Sequence, residues 1–212
     1  MRMDRNKHSR RIILASSSPR RKYLLTELGF SFTVDPSWVD ESAIPYENER
    51  QFAIQAAMAK ATEVAARYTR GALVIGADTI VCLEGHILGK PRDLEEARSM
   101  LMRLRNRAHI VITGVAVAEA GTGNVLLDSE KTEVFFKRFQ KKTLEEYLKT
   151  GDSMDKAGAY GIQGPGERLI HHIRGDYFNV MGLPLQCLLQ MLSNVMDAAP
   201  QLERLGRLRR PF

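Results

Sequence analysis

Residues 11–21 read RIILASSSPRR. The first six, RIILAS, are β-branched and apolar and then small and polar, which predicts a buried strand that stops at the serines. Ser18-Pro19 then opens a helix. Serine is a good N-cap, and proline is tolerated at the first helical position because its missing N–H has no partner there. The helix RRKYLLTELG closes at Gly29, a suitable C′ residue. A strand that feeds a helix across a short polar turn exposes backbone N–H groups and the positive end of a helix dipole. That is an anion site before any side chain is added. Arg20 and Arg21 sit in the first helical turn, where the dipole disfavours cations, so an anion that joins them relieves the conflict. Taken alone, the stretch fits a solvated basic turn equally well. It is no P-loop, since no G-x-x-x-x-G-K-[ST] occurs in the chain.

Outward from this turn, FSFTVDPSWVDES reads as a strand and a loop, and residues 47–68 as a long helix. LVIGADTIVCLEGHILGKPRD predicts a buried strand interrupted by a small-residue step, then a hairpin at Glu84-Gly85. Asp93 caps the next helix with Glu96 in a capping box, and Ala97, Met100, Leu101 and Leu104 form its inward stripe. Two strand-like runs flank AGTGN, a hairpin candidate. TLEEYLKTG predicts a short capped helix, SMDKAGAYGIQGPGE a turn-dense loop, and RLIHHIRGDYFNV another hairpin. LPLQCLLQMLSNVM is a terminal helix with Leu185, Leu188, Leu189, Leu192 and Met196 on one face. Residues 198–212 read as a basic, fraying tail, and residues 1–10 as a mobile basic leader. Early alternation of strands and helices, with strands clustered mid-chain, predicts a mixed α/β architecture around one long twisted sheet with two lobes.

The 212 residues suffice for a closed core, and 44% apolar content argues against disorder. Net charge of +6 favours anionic partners without choosing among nucleic acid, an acidic surface and a small phosphate compound. Cys82 and Cys187 lack metal-ligand spacing and read as reduced, buried thiols. RIILA is too short for a secretory h-region, and no apolar run reaches the ~18 residues of a membrane span. The expectation is a soluble cytoplasmic protein with no membrane partner.

Four further features carry chemistry. Asp78 lies inside the apolar run LVIGADTIV, where a carboxylate needs a partner. It reads as a structural aspartate, a metal ligand or a general base at a strand end. Lys60 borders an alanine-rich helix stripe and either snorkels to water or points into a cleft. Lys90 follows a hairpin, with Pro91 fixing the exit. DKAGAYGIQG (155–164) has small residues that let backbone approach a flat ligand, and Gln163 offers a donor and an acceptor to a nucleobase edge. Gathered together, Arg20, Arg21, Lys60, Lys90 and Lys156 would repel. Two like charges ~4 Å apart cost about 4 kcal/mol at an effective dielectric near 20. A polyphosphate offsets that repulsion, and Glu41 with Asp78 would hold a divalent ion against the same phosphates.

The ordered set SSSPRR, Glu41, Lys60-Ala61, GADT (76–79), GKP (89–91), TGV (113–115), DKAGAYGIQG and NVMGLP (179–184) resembles the Maf-like proteins from about Arg11 to Val195. The resemblance implies a Maf/ITPase-like α/β fold, with a long twisted mixed sheet, flanking helices and a central cleft between two lobes. The chain is therefore expected to hold one Maf-like catalytic domain at 11–196, between the basic leader at 1–10 and a basic tail at 197–212, about both of which the resemblance says nothing. It implies a nucleoside triphosphate pyrophosphatase that needs Mg or Mn and cleaves between the α and β phosphates. Asp78 matches the proton acceptor and Glu41 a charged residue of the cleft, and the charge argument above leaves Glu41 and Asp78 as the expected metal-side carboxylates. Ser16, Ser18, Arg20, Arg21, Lys60, Thr79, Lys90, Lys156 and Gln163 match substrate-binding positions, with Arg20, Thr79 and Gln163 linked to base selection. The GADT and DKAGAYGIQG forms resemble the branch acting on dTTP and UTP, which also takes modified pyrimidine nucleotides such as pseudo-UTP or 5-methyl-UTP. A homodimer is implied as well. A rival reading is a nucleotide-binding regulator of septum formation with little catalysis, against which Asp78 and Glu41 both argue. A nucleic-acid binder, suggested by the charge and the arginine-rich tail, lacks interleaved aromatics and any recognition motif.

Overall fold

The computed structural model describes residues 10–208 and 211. The basic leader (1–9) and residues 209, 210 and 212 of the tail lie outside the described residues. Seven strands form one sheet: β1 (Arg11–Leu14), β2 (Phe32–Val34), β3 (Ala72–Leu83), β4 (His86–Leu88), β5 (Ala108–Glu119), β6 (Val125–Phe136) and β7 (Ile170–Arg174). Their order is β2-β1-β3-β5-β6-β7, with β4 added to β3. β1 runs parallel to β2 and β3, and the other pairs are antiparallel. The helices are α1 (Pro19–Glu27), α2 (Glu49–Ala65), α3 (Leu94–Leu104), α4 (Lys141–Leu148), α5 (Tyr177–Met181), α6 (Leu185–Ser193) and α7 (Ala199–Leu205). The mixed α/β sheet expected from the sequence is therefore what forms.

One detail of pairing positions the site. β5 lies along one edge of β3 from Leu73 to Cys82. On the other edge, β1 covers residues 72–75 and β4 covers 81–83. Residues 76–80 of β3 thus have a strand neighbour on one side only. The chain leaves β1 and enters α1 beside this opening.

α2 is seated on the sheet at two glycines. A Cβ on Gly76 would stand 2.4 Å from the Ala57 carbonyl oxygen, and one on Gly114 would stand 2.1 Å from that of Ala53. Backbone meets backbone there, which explains why the buried face of α2 is nearly all alanine: Ala53, Ala56, Ala57, Ala61 and Ala65. The opposite face of the sheet carries the larger core, built from Ile12, Leu14, Leu73, Ile75, Val115 and Val117 against Leu185, Leu188 and Leu189.

Several local expectations are corrected. β3 runs unbroken through Gly76-Ala77, because β5 pairs with it across that step. RLIHHIRGDYFNV is no hairpin: β7 pairs with β6, and Asp176 caps α5 by accepting from the Phe178 N–H at 2.8 Å. α4 begins at Lys141, two residues before the stretch read as a short capped helix, and its N-cap Gln140 makes no side-chain cap bond. Part of the stretch expected to fray, 198–212, is ordered: α7 follows α6, and Ala198 and Leu205 are buried in the main core.

His109 lies on β5 inside that core, edge-on to Phe136 and Tyr160, with Nε2 2.6 Å from the Tyr160 hydroxyl. Burial pushes its pKa down to about 3. The unfolded chain therefore takes up a proton near pH 6.5 that the folded chain refuses, and stability falls as pH drops from about 6.5 toward 3. His109→Gln is expected to flatten the dependence of melting temperature on pH across that window. An unchanged slope would remove His109 from the acid response.

Candidate active site

The opening in the edge of β3 is the floor of a cleft of about 860 Å³. Its walls come from the β1–α1 turn, the 36–41 segment, the loop after β4 and the 152–165 loop. Every candidate residue named from the sequence lines it.

The floor is an ion-paired triad. Lys60 Nζ lies 2.7 Å from Asp78 Oδ1 and 2.5 Å from Glu41 Oε1. This contact follows from the seating of α2. Gly76 and Asp78 share a face of β3, two residues apart, and Ala57 and Lys60 share a face of α2, three residues apart. Pressing Ala57 onto Gly76 brings Lys60 onto Asp78. Asp78 is 6% exposed, so its charge is held by this partner rather than by water. Glu41 is more exposed and stands on a short 3₁₀ turn, Glu41–Ala43, whose cap Asp40 accepts from the Ser42 N–H at 2.9 Å. Of the two readings open for Lys60, the structure gives the cleft.

The β1–α1 turn separates its two arginines. Ser18 caps α1 and accepts from the Arg21 N–H. Arg21 turns inward and donates to Ser16 Oγ at 3.0 Å, Thr79 Oγ1 at 3.1 Å and the Gly182 carbonyl at 2.8 Å. Burial lowers its pKa, with Arg20 adding to the effect and Asp78 and Glu41 opposing it. The two adjacent arginines thus differ: Arg21 is a part-buried clamp and Arg20 stands outside it. Among the described residues Arg20 pairs with Asp155, at 3.4 Å.

Lys90 is exposed on the rim and makes no ion pair among the described residues. Lys156 differs: its ammonium donates to Asp152 Oδ1 at 2.7 Å, the Asp152 carbonyl at 2.6 Å and Asp155 Oδ1 at 2.6 Å. Sequence reasoning missed both aspartates, although the Asp152–Lys156 spacing of four was a usable signal. Asp155 is held below the usual carboxylate range by Lys156 and Arg20, although its partial burial works against this. It links the 155–163 loop to the β1–α1 turn.

Two glycines of that loop are closely packed, while Gly161 and Gly164 also line the cleft and a Cβ on Gly164 would meet nothing within 4 Å. A Cβ on Gly158 would meet Val81 at 2.9 Å, and one on Gly161 would meet Lys156 Cε at 2.9 Å. Gln163 is exposed at the rim, beside Tyr177. The TGV and NVMGLP motifs also gain a role. Thr79 Oγ1 meets Thr113 Oγ1 at 3.0 Å, and Thr113 donates to the Asn179 carbonyl at 3.0 Å. Asn179 Nδ2 donates to the Val111 carbonyl at 3.1 Å and to Thr132 Oγ1 at 2.9 Å. This chain ties α5 to β3, β5 and β6 beneath the clamp.

Cys82 and Cys187 are free and buried, and burial pushes both thiols up to about 12, so neither suits a nucleophile at neutral pH. Among the described residues no three His, Cys, Asp or Glu side chains gather, and no helix is long and apolar enough to cross a membrane. Glu41 and Asp78 converge on one ammonium and present hard oxygen donors. That pair fits a divalent cation that takes its remaining ligands from water and substrate phosphates.

Fold and site together define an α/β protein with a cleft whose floor carries carboxylates and whose walls carry cations, a lining suited to a small polyanion. The chain belongs to the Maf-like protein family, which it matches over residues 11–195. It is 47% identical over 182 residues to the dTTP/UTP pyrophosphatase of Symbiobacterium thermophilum, covering 86% of this chain and 92% of that one. It is 48% identical over 175 residues to that of Moorella thermoacetica, covering 82% and 90%. It is 43% identical over 203 residues to that of Syntrophotalea carbinolica, covering 95% and 88%. Among solved structures, the Ham1 protein of Staphylococcus aureus aligns with a TM-score of 0.46 at 12% identity, over 76% of this chain and 80% of that one.

Proposed function

We propose that this chain is a nucleoside triphosphate pyrophosphatase that hydrolyses dTTP and UTP to the nucleoside monophosphate and pyrophosphate. The observation that carries the reading is the buried Asp78, paired to Lys60 at the floor of a cleft with Arg20 and Lys90 on its walls. The names of its relatives supply the substrates.

In this reading Asp78 accepts the proton of the attacking water, and the bond between the α and β phosphates breaks. Glu41 and Asp78 hold a divalent cation, Mg or Mn, which when bound neutralises phosphate charge and lowers the pKa of water. Arg20 and Lys90 take the phosphates, where paired N–H donors and a mobile ammonium stabilise the leaving pyrophosphate. Ser16, Ser18 and the Arg21 clamp shape the turn that receives them, and Lys156 fixes the loop bearing Gln163. Gln163, Thr79 and Arg20 select the base. Modified pyrimidine nucleotides, a cytoplasmic setting and a homodimer belong to the same proposal.

The test is a panel of dTTP, UTP, dCTP and GTP, with and without Mg²⁺ or Mn²⁺, scored for pyrophosphate. dTTP and UTP are expected to lead, and only with the cation. Nucleotide binding without pyrophosphate from any of them would overturn the reading in favour of a regulator. Gln163→Ala on the same panel is expected to narrow the preference for dTTP and UTP; an identical ranking would take base reading away from Gln163.

A further inference from the structure

We infer that Lys60 is a tethered stand-in for the divalent cation, so that the free protein does not load the ion and takes it up only together with the nucleotide. This rests on the reading that Glu41 and Asp78 hold that ion. Three observations lead to it. The ammonium lies 2.5 Å from Glu41 Oε1 and 2.7 Å from Asp78 Oδ1, so it already satisfies both carboxylates. The lysine side chain is 12% exposed and little screened by water. Its helix is seated backbone-to-backbone on Gly76 and Gly114, so α2 cannot withdraw to vacate the place.

Charge then decides the order of events. In the free protein a divalent ion meets an ammonium between the carboxylates, with the part-buried Arg21 guanidinium on Thr79 in the same cleft. Like charges at such range repel strongly in a poorly screened site. The lysine stem is flexible, and its ammonium can turn to another anion without moving α2. A triphosphate brings that anion. The carboxylates then exchange one cation for another while the ammonium moves to phosphate, and no charge is left unpaired. A lysine that serves only as a phosphate ligand would weaken nucleotide binding when neutralised and would leave ion affinity in the absence of nucleotide unchanged.

The experiment is a calorimetric Mn²⁺ titration without nucleotide of wild type, Lys60→Gln, Lys60→Arg and Lys60→Gln/Glu41→Gln, each checked for folding by thermal melt. Lys60→Gln is expected to bind Mn²⁺ at least about tenfold more tightly than wild type, because the competing charge is gone. Lys60→Arg is expected to stay as weak as wild type, and the double variant to lose the gain. Equal affinity of wild type and Lys60→Gln, or a gain that survives loss of Glu41, overturns the inference. So does micromolar Mn²⁺ binding by nucleotide-free wild type, whatever the variants do. Pyrophosphate release from dTTP by wild type, with and without Mn²⁺, separates the two levels: a cation requirement with no lysine effect sinks the inference alone, and no requirement sinks the reading beneath it.

Discussion

Asp78→Asn is expected to lower turnover on dTTP by about 10²–10⁴-fold and to leave nucleotide affinity within a few-fold of wild type. The substitution keeps the shape of the side chain and an oxygen facing Lys60 Nζ, which sits 2.7 Å from Oδ1. It removes the basicity. Lys60 retains Glu41 at 2.5 Å, so its ammonium is not left buried without a counter-charge. The walls of the cleft, with Arg20 and Lys90, are untouched, so the phosphates should still dock. Measuring kcat and KM on purified protein, with a melt to confirm folding, decides the matter. Unchanged kcat would mean that Asp78 only anchors the lysine.

Gly114→Ala is expected to cost more stability than any other small substitution in the sheet. The new methyl would stand 2.1 Å from the Ala53 carbonyl oxygen and 2.7 Å from the Ile54 nitrogen. These are main-chain atoms, and α2 as a whole must lift. Overpacking of this kind typically costs 1–3 kcal/mol, and a rigid backbone obstacle places it at the upper end. For a chain of this length that corresponds to a drop in melting temperature on the order of 10 °C. Because Lys60 rides on α2, turnover is expected to fall in the same variant. Gly206→Ala is the control, since its methyl meets nothing nearer than the Glu203 carbonyl oxygen at 3.5 Å. A melting temperature unchanged by Gly114→Ala would show that the helix is not seated as described.

Features that depend on a few adjacent residues were legible in the sequence. The Ser18-Pro19 helix start, the Glu84-Gly85 turn with φ of 52° and 79°, and the Asp93 cap on Glu96 each follow from neighbouring residues. The inward stripe of α3 follows from its period. What stayed hidden depends on partners far along the chain. Nothing in RLIHHIRGDYFNV states that its strand pairs with β6, and hydrophobic alternation looks the same for either partner. The unlike fates of Arg20 and Arg21 depend on Gly182 and Thr79, which no local pattern brings near. The small residues at 155–164 read as a ligand surface, and the packing of Gly158 against Val81 and of Gly161 against Lys156, which the local pattern does not announce, comes in addition. The dispersed site residues were found as a set through their ordered motifs. Spacing alone gives no reason for Lys60 and Asp78 to meet, and that reason is the pair of glycines under α2.

The five residues of β3 left without a neighbour on one side have a further consequence. An exposed strand edge is the usual place for a second molecule to add itself and begin a fibre. Here the free stretch, residues 76–80, is bounded by β1 on one flank and by β4 on the other. An incoming strand of ordinary length, about 5–6 residues, would collide with both before it could register. At this stretch the molecule thereby offers main chain to a small guest and denies it to another polypeptide; the sheet's open edges are left at β2 and β7, away from the cleft floor.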